Sequence, residues 1–216
     1  MRFEERKRIA SLYSSFGLRA YVRSKLLWDP FYEAVASRVS QSDLPLLDIG
    51  CGIGILGFYL RMRGFGSAIV GLDTDEKKIE TARTIARGRY DGLTFNVADA
   101  RKGLDSFSGN VVMADMLHYM TDSDRQSLLD EAAERVAPGG MLLVRDCVRD
   151  SSLRYRATYL EELFATKIGW LRVPILNFPS PDEIRAPFRE RGFTDEMIPL
   201  WGRTPYNNYL FVFRRP

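Results

Sequence analysis

The sequence predicts a doubly wound α/β fold: a mostly parallel seven-stranded sheet, helices on both faces, and an antiparallel last strand. Three observations predict it. From Leu44 onward, short apolar runs alternate with amphipathic stretches, the pattern of parallel strands joined by crossover helices. The first run feeds a glycine-rich turn, DIGCGIG, at residues 48–54. Near the C-terminus two apolar runs, 197–201 and 209–213, lie too close together for a helix between them, so they pair antiparallel as a hairpin at the sheet edge.

The stretch before Leu44 reads as helical. Ile9, Leu12, Tyr13 and Phe16 fall on one helical stripe, and Gly17 is expected to interrupt it. Tyr21, Val22, Lys25, Leu26 and Trp28 predict a second short helix. Asp29-Pro30 joins an N-cap residue to a proline at the first helical position, so a third helix follows, burying Phe31, Ala34, Val35 and Val39. The alternation then runs strand 44–49, helix 53–63, strand 68–72, and helix 75–87 burying Ile79, Ala82, Ile85 and Ala86. Strands 93–97 and 110–115 come next, then helix 121–136 with Leu128, Leu129, Ala132 and Val136 on one side. Pro138-Gly139-Gly140 stops that helix before the fifth strand, 141–145. Residues 151–169 read as an inserted helix and 181–191 as another, capped by Ser180. The expected organisation is an N-terminal helical cap at 1–43 and a core at 44–216, with 151–177 as a cap segment inserted after strand five.

Composition removes several function classes. With 216 residues, 45% hydrophobic and 27% charged, the chain supports one domain with a sizeable core. Net charge is only +3, and the 25 arginines and 6 lysines are scattered among acids, so no nucleic-acid stripe is expected. Cys51 and Cys147 match neither zinc nor CxxC spacing; no metal site and no disulfide framework is expected, which fits a reducing cytosol. The N-terminus lacks the apolar core of a signal peptide, and no apolar run approaches the ~20 residues of a bilayer span. The expectation is a cytoplasmic protein with no membrane span.

The glycine turn poses a choice of cofactor. GIGILG at 52–57 formally fits the dinucleotide fingerprint, with Asp73 placed for ribose hydroxyls. Asp48 argues otherwise. A carboxylate at the end of the strand feeding the turn repels a pyrophosphate over a short, poorly screened distance. Asp73, Asp99 and Asp115 end the next three strands at the same rim, where an open α/β sheet binds its ligand. Each alone could be a helix cap, as Asp75 is expected to be; four together suit a cationic cofactor better.

These motifs (LLDIGCGIG at 46–54, VGLDTD at 70–75, VADA at 97–100, DMLHYM at 115–120 and VAPGGMLLV at 136–144) resemble the class I S-adenosylmethionine-dependent methyltransferases in order and spacing. The resemblance implies that family's Rossmann-like sheet, with S-adenosyl-L-methionine as methyl donor and S-adenosyl-L-homocysteine as product. It implies that Gly50, Gly52 and Gly54 line the methionine part, with Asp48 near its ammonium. Asp73, followed by Thr74, takes the ribose hydroxyls. Asp99 and the Ala100 amide meet the adenine, and Asp115 with Met116 flanks the methionyl end.

Methyl transfer from a sulfonium is mainly a problem of alignment and exclusion of water. A base is needed only when the acceptor must lose a proton. His118, the single histidine, and Tyr119 lie just past the fourth strand and are the candidate catalytic residues, set against plain structural roles. Arg145 and Asp146 face the same rim, either to bind an acceptor or to pair with each other. Tyr155, Tyr159, Phe164 and Trp170 in the inserted segment favour a small apolar or aromatic acceptor under a cap. The rivals are an RNA or protein methyltransferase, a non-catalytic S-adenosylmethionine-binding protein, and a nicotinamide oxidoreductase.

Overall fold

The computed structural model describes residues 3–167, 175–202 and 204–216. Its seven strands are β1 (Leu46–Ile49), β2 (Ile69–Asp73), β3 (Leu93–Val97), β4 (Asn110–Ala114), β5 (Met141–Cys147), β6 (Thr194–Pro199) and β7 (Asn208–Arg214). They form one sheet in the order β3-β2-β1-β4-β5-β7-β6. The first five run parallel; β7 lies antiparallel between β5 and β6. The strand order reverses at β1, so the carboxyl ends of β1 and β4 open a crevice.

Both faces of the sheet are covered, and side-chain alternation decides which residue serves which face. Met141 and Leu143 of β5, Val112 of β4 and Leu210 and Val212 of β7 pack with the helices α1 (Phe3–Ala10), α2 (Phe16–Trp28), α3 (Phe31–Val39), α4 (Ile55–Met62) and α5 (Glu76–Ala86). Leu142 and Val144, Val111 and Met113, and Phe211 and Phe213 point the other way, toward α6 (Asp122–Arg135) and α8 (Pro181–Arg189). The short apolar runs read from sequence therefore serve both sides of the sheet, as buried parallel strands require.

The ends of the elements follow their caps. Asp75 accepts from the Lys77 and Lys78 amides, and Ser180 with Glu183 forms a capping box on α8. The N-terminal region differs from the sequence expectation. Ser15 caps α2 by accepting from the Leu18 amide, so the second helix starts at Phe16 and carries Gly17 in its first turn. Phe16 leaves the Ile9–Tyr13 stripe and is 86% exposed. α4 begins two residues later than expected, after Gly54, and β5 runs two residues further, to Cys147.

The inserted helix α7 spans Leu153–Lys167. Residues 168–174, which include the expected end of that helix and Trp170, lie outside the described residues, as does the side chain of Phe164. Among the described residues no helix is long and apolar enough to cross a membrane.

Candidate functional site

A cavity of about 1150 Å³ opens at the carboxyl ends of β1, β2 and β4. That exceeds the ~300–1,000 Å³ of a typical single-ligand pocket, leaving room for a cofactor and a second small molecule. Of the expected site residues, Asp48, Gly50, Gly52, Asp73, Thr74, Asp99, Ala100, Asp115, Met116, His118 and Tyr119 all line it; Gly54 does not.

The turn after β1 explains that exception. Gly50, Gly52 and Gly54 all have positive φ, between 55° and 79°, which glycine adopts without steric cost. A Cβ on Gly52 would meet nothing within 4 Å, so its face toward the cavity is open. A Cβ on Gly54 would come within 2.7 Å of the Phe95 ring and 3.1 Å of Ala82. Gly54 therefore lets α4 pack against β3 and α5, while Gly52 presents bare backbone to the ligand. Cys51, between Gly50 and Gly52, is buried, and burial pushes its thiol far up, as an inert core residue.

The acids divide by what they already hold. Asp73 accepts from the Gly52 amide at 2.8 Å and from the Asp75 amide at 2.9 Å, so it fixes the turn as well as facing the cavity. Asp99 accepts from the Arg101 amide and guanidinium, and that partner holds its carboxyl below the usual range. Asp48 is different. It is 5% exposed, and among the described residues none donates a hydrogen bond to its side chain. Burial, with Asp73 adding to it, pushes its carboxyl up to about 7. A buried carboxylate without a donor, on the wall of a cavity, fits a ligand that brings its own positive charge.

His118, also on the cavity wall, sits in the 3₁₀ turn Leu117–Tyr119 after β4. It is 4% exposed. Its Nδ1 lies 2.5 Å from Asp146 Oδ1, while Asp146 Oδ2 accepts from the Leu117 amide at 2.8 Å. Its Nε2 is buried and has no partner among the described residues. Burial lowers the imidazole's affinity for a proton, and the charge and hydrogen bond of Asp146 outweigh it, so the net shift is upward. The ring stacks on Phe178, with centroids 5.2 Å apart. Arg125 anchors that arrangement: it is buried and donates to the Asn177 carbonyl at 3.1 Å, and the Asn177 amide donates to the His118 carbonyl at 2.8 Å. Tyr119 donates to Glu162 of α7 at 3.1 Å and forms a wall.

Arg145 and Asp146 do not pair with each other. Neighbours on β5 face opposite sides of the sheet, so Asp146 meets His118 while Arg145 turns toward α2 and α3, where it binds Asp29 at 2.7 Å and also Asp115. From sequence, Asp29 reads as a cap only, and Glu162 carries no signal. Asp29 does accept from the Phe31 amide at 3.0 Å, which is the signal that was legible; its second partner lies 116 positions away. The cavity walls also include Tyr21 and Trp28 of α2, Thr158 of α7, and Leu200 and Tyr206 from the hairpin link.

Comparison with known proteins agrees with this fold. A family model described as "Methyltransferase domain" matches residues 40–190. Ribosomal RNA small subunit methyltransferase C of Pseudomonas aeruginosa is 37% identical over 114 residues, 51% of this chain and 33% of that protein. The chain spans only 33–44% of the length of the first curated relatives it matches. Ubiquinone biosynthesis O-methyltransferase of Sinorhizobium medicae is 28% identical over 214 residues, covering 91% of this chain and 83% of that one. The fold is that of a magnesium protoporphyrin IX methyltransferase from Synechocystis solved with bound S-adenosylhomocysteine: TM-score 0.68 at 18% identity, over 99% of this chain and 94% of the other.

Proposed function

Because the chain belongs to the class I S-adenosylmethionine-dependent methyltransferases, we propose that it methylates a hydroxyl on a small apolar or aromatic acceptor. The observation that carries this reading is one cavity lined both by Asp48, a buried carboxylate without a hydrogen-bond donor, and by His118, whose buried Nε2 has no partner among the described residues. S-adenosyl-L-methionine bound at the glycine turn supplies a methyl group on a sulfonium, activated for in-line displacement. Asp48 and Asp115 would hold its positively charged methionyl end, Asp73 and Thr74 the ribose, and Asp99 with Ala100 the adenine. Gly52 gives the close backbone approach.

The remaining steps belong to the chain's own side chains. Asp146 keeps the His118 proton on Nδ1, which leaves Nε2 as the acceptor lone pair. Nε2 takes the hydroxyl proton as the oxygen attacks, and Asp146 stabilises the resulting imidazolium. Tyr21, Trp28, Tyr119 and Tyr206 form an aromatic surround for a ring, and α2 and α7 act as a cap that keeps water away.

Two similarities bear on the acceptor. The O-methyltransferase relative aligns over nearly the whole chain, which supports a hydroxyl on a small molecule. The ribosomal RNA methyltransferase relative favours a nucleic-acid acceptor, but its match is confined to about half the chain. Calorimetry tests the reading. S-adenosylhomocysteine is expected to bind and NAD not to; tight NAD binding with no heat from S-adenosylhomocysteine would overturn it. At a concentration of ~100 times Kd, the bound product should add about 2.7 kcal/mol to unfolding stability.

A further inference from the structure

Arg145 has no role in the chemistry above, yet it is 4% exposed on β5 and spans two parts of the molecule. One guanidinium nitrogen donates to Asp29 Oδ2 at 2.7 Å, and another donates to the Asp115 carboxylate. Asp29 marks the break between α2 and α3, and the Arg145 guanidinium lies 4.7 Å from the centroid of the adjoining Phe31 ring. Lys25 of α2 reaches the same Asp29 oxygen at 3.7 Å. Asp115 follows β4 with φ of 55°, the one positive φ outside glycine among the described residues, and it faces the cavity. A non-glycine residue held there is strained, and its surroundings must offset the cost. The ion pair to Arg145 and the hydrogen bond that the Asp115 amide donates to the Arg145 carbonyl, 3.0 Å, are the polar contacts that do so.

We infer that Arg145 is a positioning residue that couples an occupied cofactor site to docking of the N-terminal helices, through Asp115 on one side and Asp29 on the other. This rests on the cofactor assignment above. With the site empty, Asp29 and Asp115 share one buried guanidinium, each on its own nitrogen. A ligand ammonium beside Asp115 satisfies that carboxylate and leaves the guanidinium to Asp29. The α2–α3 break is then held more tightly over the cavity, where Tyr21 and Trp28 contribute walls. Coupling between two sites is reciprocal: whatever the ligand adds to docking, docking adds to ligand affinity.

The experiment compares wild type, Asp29→Asn and Asp29→Glu, with S-adenosylhomocysteine as the probe. Two quantities are read on each: the rate of tryptic cleavage at Arg19 and Arg23 in α2, with and without probe, and the Kd of the probe by calorimetry. In wild type the probe is expected to slow cleavage about fivefold or more, the lower range of such couplings. In Asp29→Asn the slowing should fall below twofold, and Kd should rise by the same factor that protection loses. Asp29→Glu, which keeps the charge, should recover most of both. A residue that merely held the fold would change cleavage without that matched change in Kd. Equal protection in wild type and Asp29→Asn, or protection lost with Kd unchanged, would overturn the coupling. Probe that binds wild type without protecting α2 overturns the coupling alone. Probe that fails to bind wild type overturns the cofactor assignment and the coupling with it.

Discussion

His118 carries the chemical part of the proposal, and its environment makes a sharp expectation. Asp146 outweighs the burial and raises the imidazole's proton affinity, so the base form accumulates only above the usual histidine range. The chain has a single histidine, so its ring signals in proton NMR are unambiguous without any acceptor in hand. They should titrate above pH 6.5 in wild type, and the midpoint should fall in Asp146→Asn, where burial is opposed only by the weaker charges of Asp115 and Glu162. A wild-type midpoint below 6.5 would remove the dyad. Once an acceptor is found, His118→Gln should lower kcat by about 10²–10⁴-fold, the usual contribution of a general base. The residue itself was legible in sequence as the one histidine past the fourth strand. Its partner was not. Choosing Asp146 over Arg145 requires knowing which face of β5 looks toward the 3₁₀ turn after β4, and the neighbour relation of those strands is tertiary information.

At the scale of elements, the glycine turn separates two roles that one motif conceals. Gly54→Ala places a methyl against Phe95 and Ala82 in a backbone region unfavourable to side chains. Strain of ~1–2 kcal/mol from the dihedral and ~1–3 kcal/mol from overpacking should appear together as a lower denaturant midpoint. Gly52→Ala meets open space, so only the dihedral term applies to stability, while the new methyl intrudes where the cofactor approaches. Urea titration and calorimetry on the pair should therefore give opposite rankings: Gly54→Ala less stable, Gly52→Ala weaker in binding S-adenosylhomocysteine. Matching rankings would show that both glycines serve one purpose. The strands and their following helices were readable because apolar runs of four to seven residues and Asx, Ser or Gly caps act locally. The helices before Leu44 were less so. Ile9, Leu12, Tyr13 and Phe16 fit one stripe on paper, but the Ser15 cap outcompetes that periodicity and starts a new helix at Phe16.

For the whole molecule, the acid-rich rim sets a dependence of stability and binding on pH that runs against the common carboxylate pattern. Asp48 goes from an ordinary 3.8 to about 7 in the fold. The folded chain therefore holds a proton that the unfolded chain has lost, and stability from this group is full below pH 3.8 and declines as pH rises toward 7. His118, also shifted upward, contributes in the same sense: its share is present below 6.5 and is lost as pH rises through the folded value. The ligand-free protein should thus melt at a lower temperature at pH 8 than at pH 5.5. Asp99 and Asp150, both lowered by their partners, oppose this only as pH falls through their folded values. A cationic ligand reverses the balance, because it needs Asp48 ionised. S-adenosylhomocysteine should bind about tenfold more weakly at pH 6 than at pH 8, one pH unit below the carboxyl's midpoint against one above it. Heats measured in two buffers of different ionisation enthalpy should show proton release on binding near pH 6. Asp48→Asn should lose affinity and most of the pH dependence, and should flatten the melting profile between pH 4 and 7. A wild-type affinity that stays level from pH 6 to 8 would mean that Asp48 is already ionised in the empty site, and that the rim attracts its cofactor without an uncompensated charge to relieve.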